Sequence, residues 1–533
     1  MQNFREVLDE CGLLDLGFVG NKFTWSKTYS DGGVVWERLD RAVSSASWYD
    51  LFPATKVKTL VGVSSNHSPF LVLPEGIISK PQRPWRFEQM WLEKQGCHDT
   101  VKGAWKAISS ESPMFKVIQN VDTCKTQLKA WSKKDFCNVV TTLSEKKKKI
   151  LQKAEKATVN GGSVEFFLQL KGEVAELLRV EEKMWHQRSH IHWMVLGDKN
   201  TSYFHNRASQ RFRQNNISEL KDPHGILTSG NEEVSEMIVG YYNQLFTSSN
   251  LYDFEEVVQS TKRVVTEDMN SSLIRNFSKE EVEIALKQMA PLKAPGLDGM
   301  PPIFFQHYWE SIGDDVVKAV VSCLNSTSIE SGLNHTFITL ILKVKRPEYV
   351  IEFRPIALCN ILYKLVSKVL ANRLKKVLPH IISESQSAFQ SNKAISDNIL
   401  VAFETLHHMK RKKSGKMGFM ALKLDMSKAY DRLEWLFLQK TMEKMGFHST
   451  WIGWIMECVK SVTYSILVNG EPKGHIIPTQ GIRQGDPLSP YLFLLCFKGL
   501  NGLIEHAVDM ALRSPTSFLL MIAYYFAKLE WGI

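Results

Sequence analysis

The sequence predicts the α+β fold class, with three regions that differ in pattern along the chain. Residues 1–76 mix short strand-like runs with Gly, Asn and Ser turns, which predicts a β-rich segment. Residues 77–275 carry helical periodicity, most clearly over residues 163–193, and predict a mainly helical linker. Residues 276–533 alternate predicted helices with predicted strands, as the chain of an α+β domain does.

The composition is that of a basic globular protein. Hydrophobic residues make up 44% of the chain, enough for buried cores, and the net charge of +10 favours polyanionic partners. The eight cysteines show no C-x-x-C spacing, so neither a zinc site of that type nor a disulfide framework is predicted. The N-terminal residues lack the pattern of a signal peptide, and no apolar run is long enough to span a bilayer. We expect a protein of the nucleus or cytoplasm that is not secreted and has no membrane partner.

The strongest local signal lies around Asp425. Residues 417–424 predict a strand that ends at this aspartate, and the chain then turns into a helix that passes through Trp435. A carboxylate at a strand end can leave the core and bind a hard divalent cation through oxygen. A helix cap is the other interpretation of an isolated aspartate at such a place. Tyr430, five residues later, would flank the same pocket.

A second signal is the polar loop at residues 481–490, GIRQGDPLSP, which precedes a predicted helix from Tyr491. Its glycines allow a close approach to a ligand, and a helix start offers free N–H groups to phosphate. Before it, residues 464–468 and 475–478 predict two strands around Asn469-Gly470. Residues 471–474 between them predict a loop longer than a tight hairpin.

In this order the two signals resemble motifs A and B of the reverse transcriptases of non-LTR (LINE) retrotransposons, the plant members in particular. Further segments resemble the same family, and the resemblance covers about residues 198–497. These segments are KAPGLDG at 293–299, FRPIALCN at 353–360 with Lys364, QSAF at 386–389 and SDNIL at 396–400. The resemblance implies reverse transcriptase fingers and palm, and RNA-directed DNA polymerisation with an RNA template and a DNA primer.

The resemblance also implies roles for single residues. Asp425 would be the catalytic residue that binds Mg²⁺, and Tyr430 would gate the sugar of the nucleotide. Gln484, with Gly485, would contact the nucleotide or the template, and Arg354 would contact the triphosphate.

The acids needed for the family's two-metal chemistry are incomplete in this sequence. Asp431 and Asp486 also resemble family residues, but we predict structural roles for both. The resemblance calls for an Ala-Asp-Asp turn on a hairpin soon after motif B. The acids after Pro487 are not adjacent to one another; they are Glu505, Asp509 and Glu530. We therefore expect fingers and palm truncated before the Ala-Asp-Asp motif and no polymerisation, with a frameshift shortly before Phe518 as one hypothesis for the loss.

Residues 1–76 resemble the C-terminal end of an endonuclease/exonuclease/phosphatase domain. The resemblance rests on FTW at 23–25, RLDR at 38–41 and SNHSP at 65–69, and the first half of such a domain is missing. His67 would contact the scissile phosphate, and Asp40 would orient its imidazole. The family has an aspartate where this chain has Asn66, and an amide cannot act as a charged base. We expect a degenerate remnant without nicking activity; a leftover histidine is the alternative for His67.

Two alternatives to an enzyme stay open at this point. One is a non-catalytic nucleic-acid-binding remnant, for which residues 205–216 with their arginines offer an RNA surface, although a solvated basic helix fits them equally. The other is a pseudogene product that does not fold, since a palm without its central hairpin has an open sheet edge. Salt-sensitive RNA binding and resistance to proteolysis distinguish the two.

Overall fold

The structure is a computed structural model, and it divides into two compact units by its contacts, residues 1–83 with 188–214 and residues 84–187 with 215–533. The residues that it describes are 7–8, 11–18, 22–29, 34–45, 48, 51–52, 55–60, 65–74, 84–106, 112–135, 145, 164–189, 215–250, 254–345, 347–383, 386, 389, 394–411 and 426–513.

The smaller unit, where described, is built from short antiparallel strand pairs that lie within the residues predicted to be β-rich. The pairs are β1 (Leu13–Asp15) with β4 (Val43–Ser45), β2 (Trp25–Thr28) with β3 (Val34–Glu37), and β5 (Lys56–Thr59) with β6 (Phe70–Leu73).

The larger unit begins with the helices of the predicted linker. They are a 3₁₀ helix (Gln89–Glu93), α1 (Gln95–Ala104), α2 (Pro113–Asp135) and α3 (Val164–Ser189). Trp105 and Lys116 both donate hydrogen bonds to Asp315, at 3.1 and 3.0 Å. The first linker helices therefore pack in the same unit as the described part of residues 276–533, whereas the predicted boundaries at residues 76 and 275 stay a prediction.

A β-hairpin and a series of helices follow these linker helices along the chain. They are β7 (Glu219–Lys221), β8 (Leu227–Ser229), α4 (Asn231–Leu245), α5 (Glu255–Gln259), α6 (Glu267–Ile274), α7 (Lys279–Lys287), α8 (Pro302–His307) and α9 (Trp309–Ser326).

This unit also contains a four-stranded sheet. Its strands are β9 (His335–Leu342), β10 (Phe353–Leu358), β11 (Thr463–Val468) and β12 (Glu471–Ile476), with a 3₁₀ helix (Val350–Glu352) before β10. β9 pairs antiparallel with β10 and parallel with β11, and β11 pairs antiparallel with β12. Together with the helices this gives the mixed helix-and-sheet architecture that the sequence predicts.

The expectation of a long loop after β11 was wrong. Val468 pairs directly with Glu471, so Asn469 and Gly470 alone form the turn, with φ of 51° and 90°. Both central residues of a tight hairpin turn need positive φ, and Asn-Gly supplies it at low cost. The sequence pattern hid the strand because β12 is polar and half exposed, so that it lacks the alternation used to recognise strands.

The core is centred on α10 (Ile361–Ile381), of whose 21 residues 15 are buried. This helix packs against α6, α7, α9 and the last described helix of the chain, whereas Lys375 and Lys376 stay exposed. The remaining helices are α11 (Ile395–Arg411), α12 (Trp435–Met445), α13 (Ser449–Lys460) and α14 (Ser489–Arg513). None of the helices in the described ranges combines the length and the apolarity needed to cross a membrane.

Candidate functional site

The loop at residues 481–490 is held between the turn that follows Asp425 and strand β10. On one side the backbone N–H of Gly481 donates to the carbonyl of Leu433, and that of Ile482 to Tyr430, both at 2.8 Å. On the other side the N–H of Ala357 in β10 donates to the carbonyl of Gln484, also at 2.8 Å. The turn after Asp425, the 481–490 loop and the FRPIALCN segment at 353–360 thus meet at one place.

The two glycines of this loop are required by close packing. Gly481 has φ of +89°, and a Cβ there would lie 2.7 Å from the carbonyl oxygen of Asp431. Gly485 has φ of +109°, and a Cβ there would lie 3.1 Å from the carbonyl oxygen of Ala357. Any other residue would carry backbone strain at both positions, with a clash at Gly481 and a tight contact at Gly485. The glycines therefore let the loop pack closely against both neighbours.

The predicted nucleotide-binding residues fall into this arrangement as follows. Arg354 is half-buried on β10, in the same strand as Ala357, and Gln484 and Gly485 lie in the loop opposite. Tyr430 is 7% exposed, and its ring stacks on that of Phe493 in α14, with centroids 5.2 Å apart. Asp425 and the predicted strand before it lie outside the described residues, as does the segment around Phe518.

Lys364, four residues after the FRPIALCN segment, lies within the largely buried helix α10. Its side chain is 8% exposed, and burial lowers the pKa of its ammonium group. The Lys293–Gly299 segment packs close by, because a Cβ on Gly296 would meet the backbone nitrogen of Asn360 at 2.5 Å. In these contacts the segment acts as a support for the start of α10.

Asp486 is part of a buried network. Its carboxylate pairs with Arg483 at 2.7 Å, accepts a hydrogen bond from the hydroxyl of Tyr363 at 2.8 Å, and accepts one from the N–H of Leu488 at 2.9 Å. Arg483 also lies over the ring of Tyr363 at 4.0 Å and donates to the hydroxyl of Thr336 at 3.3 Å. This network joins the loop to β9 and α10.

Asp431 has a different environment. It is 2% exposed, and one carboxylate oxygen accepts a long hydrogen bond of 3.4 Å from the side-chain amide of Gln484. The other oxygen is buried without a hydrogen-bond partner. Burial raises the pKa of this carboxyl to about 6, against the opposing effect of nearby Lys428 and Lys343.

The described acids do not fit a two-magnesium site. The described ranges contain no cluster of three or more His, Cys, Asp or Glu side chains that could hold a metal ion. Both oxygens of Asp486 are engaged by protein donors, and Asp431 is a lone buried carboxyl beside Lys428. Two divalent ions need several carboxylate oxygens that face them.

In the smaller unit the structure brings Asp40 and His67 together. The Nδ1 atom of His67 lies 2.8 Å from Oδ2 of Asp40, and the two side chains are 51% and 31% exposed. Partial burial raises the pKa of Asp40, but hydrogen bonds from His67 and Thr24 outweigh it and leave that pKa below its ordinary value. Thr24 also accepts the backbone N–H of Asp40 at 2.9 Å. Asn66 is exposed beside this pair.

Sequence reasoning missed the buried polar groups that surround the loop. Arg483 carried one usable signal, since it stands three residues before Asp486. Tyr242 of α4 carried none: it is fully buried, its hydroxyl has no hydrogen-bond partner, and it belongs to a helix far from the loop in sequence. Lys428 carried none either, although its ammonium group is buried and without a hydrogen-bond partner.

Comparison with known proteins agrees with this geometry. Residues 343–525 match the family described as reverse transcriptase (RNA-dependent DNA polymerase). The Transposon TX1 uncharacterized 149 kDa protein of Xenopus laevis is 24% identical over 542 residues, which cover 98% of this chain and 40% of that protein.

Two further relatives match shorter parts. The Pol polyprotein of the type-2 retrotransposable element R2DM of Drosophila melanogaster is 25% identical over 262 residues, 49% of this chain and 23% of that protein. An uncharacterized mitochondrial protein of Arabidopsis thaliana is 56% identical over 43 residues, 8% of this chain and 35% of that protein. The chain spans two fifths or less of the length of each of these relatives. Residues 343–525 therefore carry a reverse transcriptase domain, and the chain is a relative of the proteins of non-LTR retrotransposons.

Proposed function

We propose that this polypeptide keeps the nucleotide- and nucleic-acid-binding surfaces of non-LTR reverse transcriptase fingers and palm but does not polymerise DNA. The observation that carries the proposal is the set of acids. The carboxylate of Asp486 forms a buried ion pair with Arg483 and does not face a metal site. In the 533 residues, no two acids are adjacent after Asp486. Asp425 alone cannot hold two magnesium ions.

In this proposal each remaining site residue has one task. Reverse transcriptases generally depend on Mg²⁺, and Asp425 would hold a single ion. Arg354 would contact the triphosphate, Tyr430 the sugar, and Gln484 with Gly485 the base or the template. The anchoring of the loop to β10 supports this, because it keeps Gln484 and Arg354 on neighbouring segments. The partners would be an RNA template and a DNA primer.

Primer extension on an RNA template with Mg²⁺ and all four deoxynucleotides tests the loss of catalysis. We expect no extension product from the full chain, and none from an Asp425→Ala variant, which is the matched control. Product from the wild type that disappears in Asp425→Ala would overturn the proposal, since it would require a working metal site.

Binding of an RNA–DNA primer–template, measured by fluorescence anisotropy, tests what is retained. The net charge of +10 leads us to expect that the logarithm of the affinity falls linearly with the logarithm of the salt concentration. An Arg354→Ala variant should lose nucleotide binding while its salt slope on primer–template stays nearly unchanged. Absence of any salt-dependent binding would contradict the proposal. Rapid digestion of the entire chain in limited proteolysis would favour the alternative of a product that does not fold.

We further infer that residues 1–76 derive from the end of an endonuclease/exonuclease/phosphatase domain. The 2.8 Å contact between Asp40 and His67 supports the inference, and Asn66 beside them removes the charged base. A supercoiled plasmid should therefore stay intact with Mg²⁺, and nicking that is lost in His67→Ala would contradict this. The frameshift hypothesis is tested by the gene: a shifted reading frame near Phe518 that lacks Asp-Asp would refute it.

A further inference from the structure

The contact between Asp431 and Gln484 carries a consequence for the loop. The backbone of Gln484 is held to β10, because its carbonyl accepts a hydrogen bond from the N–H of Ala357 at 2.8 Å. The freedom that is left belongs to its side chain. A glutamine amide has an accepting oxygen at one end and a donating NH₂ at the other, and rotation about its last bond exchanges them.

We propose that Asp431 is a positioning residue that fixes which end of the Gln484 amide turns toward the bound nucleotide. Ionised Asp431 can only accept, so it takes the NH₂ group and turns the amide oxygen the other way. Protonated Asp431 can donate, so it takes the amide oxygen and turns the NH₂ group outward. The site thereby presents an acceptor to a base in one state and a donor in the other.

The surroundings of Asp431 keep both states within reach. Burial disfavours the charged carboxylate, whereas Lys428, Lys343 and Arg432 favour it. The balance leaves the pKa of Asp431 at about 6, so the protonated and the ionised carboxyl are both populated near that pH. The tyrosines that face it would stay neutral, since their own pKa values are raised; they are Tyr241 and Tyr242 of α4 and Tyr464 of β11.

Helix α4 is part of this device although it precedes the matched reverse transcriptase domain. The hydroxyl of Tyr242, the ammonium group of Lys428 and the second oxygen of Asp431 are all buried without hydrogen-bond partners. Lys428 lies over the rings of Tyr241 and Tyr242, 5.5 and 5.9 Å from their centroids. Removal of the Tyr242 hydroxyl takes away a polar neighbour, so it should move the titration of Asp431 upward.

The orientation of the amide is measured directly by NMR on the full chain, deuterated and labelled with ¹⁵N in glutamine side chains. The Gln484 signal is assigned by its absence in Gln484→Glu. We expect its shift to titrate near pH 6 in the wild type, to be flat in Asp431→Asn, and to titrate at a higher midpoint in Tyr242→Phe. Asp314→Asn is the matched control, because Asp314 is an exposed aspartate paired with Lys279 at 2.7 Å.

A wild-type Gln484 signal that does not move between about pH 5 and about pH 8 would overturn the inference. So would an Asp431→Asn chain that titrates like the wild type. Should Asp431→Asn fail to fold by circular dichroism, Asp431→Glu replaces it, and its Gln484 signal must titrate with a changed midpoint.

The identity of the ligand rests on the proposed function, and a second measurement separates the two. Binding of each deoxynucleotide to the chain with primer–template is compared at about pH 5 and about pH 8. We expect the preference among bases to change with pH in the wild type and not in Asp431→Asn. An amide that titrates in a chain without nucleotide binding supports the positioning role and refutes the proposed function. A base preference that changes equally in both chains refutes the positioning role.

Discussion

Arg373 of α10 joins the reverse transcriptase domain to the residues before it. Its side chain is 3% exposed, and all five of its N–H groups are bound. Two of them reach the carboxylate of Glu281, at 2.9 and 2.8 Å. The other three reach backbone carbonyls in the last turn of α6 and just after it, at 2.6 to 2.9 Å, those of Leu273, Arg275 and Asn276.

Replacement of this guanidinium should destabilise the larger unit strongly. Arg373→Met leaves the 17%-exposed Glu281 side chain without its main partner and three carbonyls unbound, and breaking such a buried pair costs about 3–5 kcal/mol. Arg373→Lys keeps the charge but has three donors for five acceptors. At about 1–3 kcal/mol for each buried group left unbound, we expect a loss of about 2 kcal/mol or more.

Urea unfolding of the full chain, followed by tryptophan fluorescence, measures both variants as shifts of the transition midpoint. Lys375→Met on the same helix is the matched control, since Lys375 is exposed and should change the free energy of unfolding by less than about 0.5 kcal/mol. An Arg373→Lys chain that unfolds at the wild-type midpoint would contradict this role of Arg373, and so would a Lys375→Met chain that is destabilised as much as Arg373→Met.

Three further variants test the packing and the charges in the same unit. Burial raises the folded pKa of Asp431 to about 6, so ionisation of this carboxyl destabilises the folded chain as the pH rises through that value. The side chain of Asp431→Asn cannot ionise. In thermal unfolding this variant should therefore be more stable than the wild type by up to about 3 kcal/mol above pH 7, and equally stable near pH 4. Gly296→Ala should lower the free energy of unfolding by about 1–3 kcal/mol, since its Cβ would meet backbone atoms just before α10. Gly240→Ala is the control and should not destabilise the chain, because a Cβ there has open space around it. Equal urea midpoints for the two variants would contradict this. Burial and the nearby His475, whose ring stacks on that of His335 with centroids 5.6 Å apart, lower the pKa of His335. The stability of the chain should therefore fall as the pH drops below about 6.5, and it should fall less in His475→Asn. Thermal unfolding at a series of pH values measures both effects.

The sequence predicted the parts of the site that depend on neighbours along the chain. The glycines of the 481–490 loop and the helix that follows could be read because turn chemistry and helix starts are local. The tight turn at Asn469-Gly470 was misjudged because a polar edge strand lacks a hydrophobic alternation. The position of Tyr242 beside Asp431 could not be read at all, because it depends on tertiary packing between segments distant in the chain.

The same packing supports the proposal that nucleotide binding is kept in this chain although polymerisation is lost. The loop that carries Gln484 is fixed by backbone hydrogen bonds to β10 and by the Arg483–Asp486 pair, and every one of these contacts is made between protein groups. None of them depends on a metal ion or on acids beyond Asp486. In the proposed function, loss of the second acidic motif would therefore remove the metal ligands that polymerisation needs without loosening the loop that carries Gln484. We therefore propose that catalysis and nucleotide binding depend on separate sets of interactions in this chain, so that the first can be lost while the second is kept.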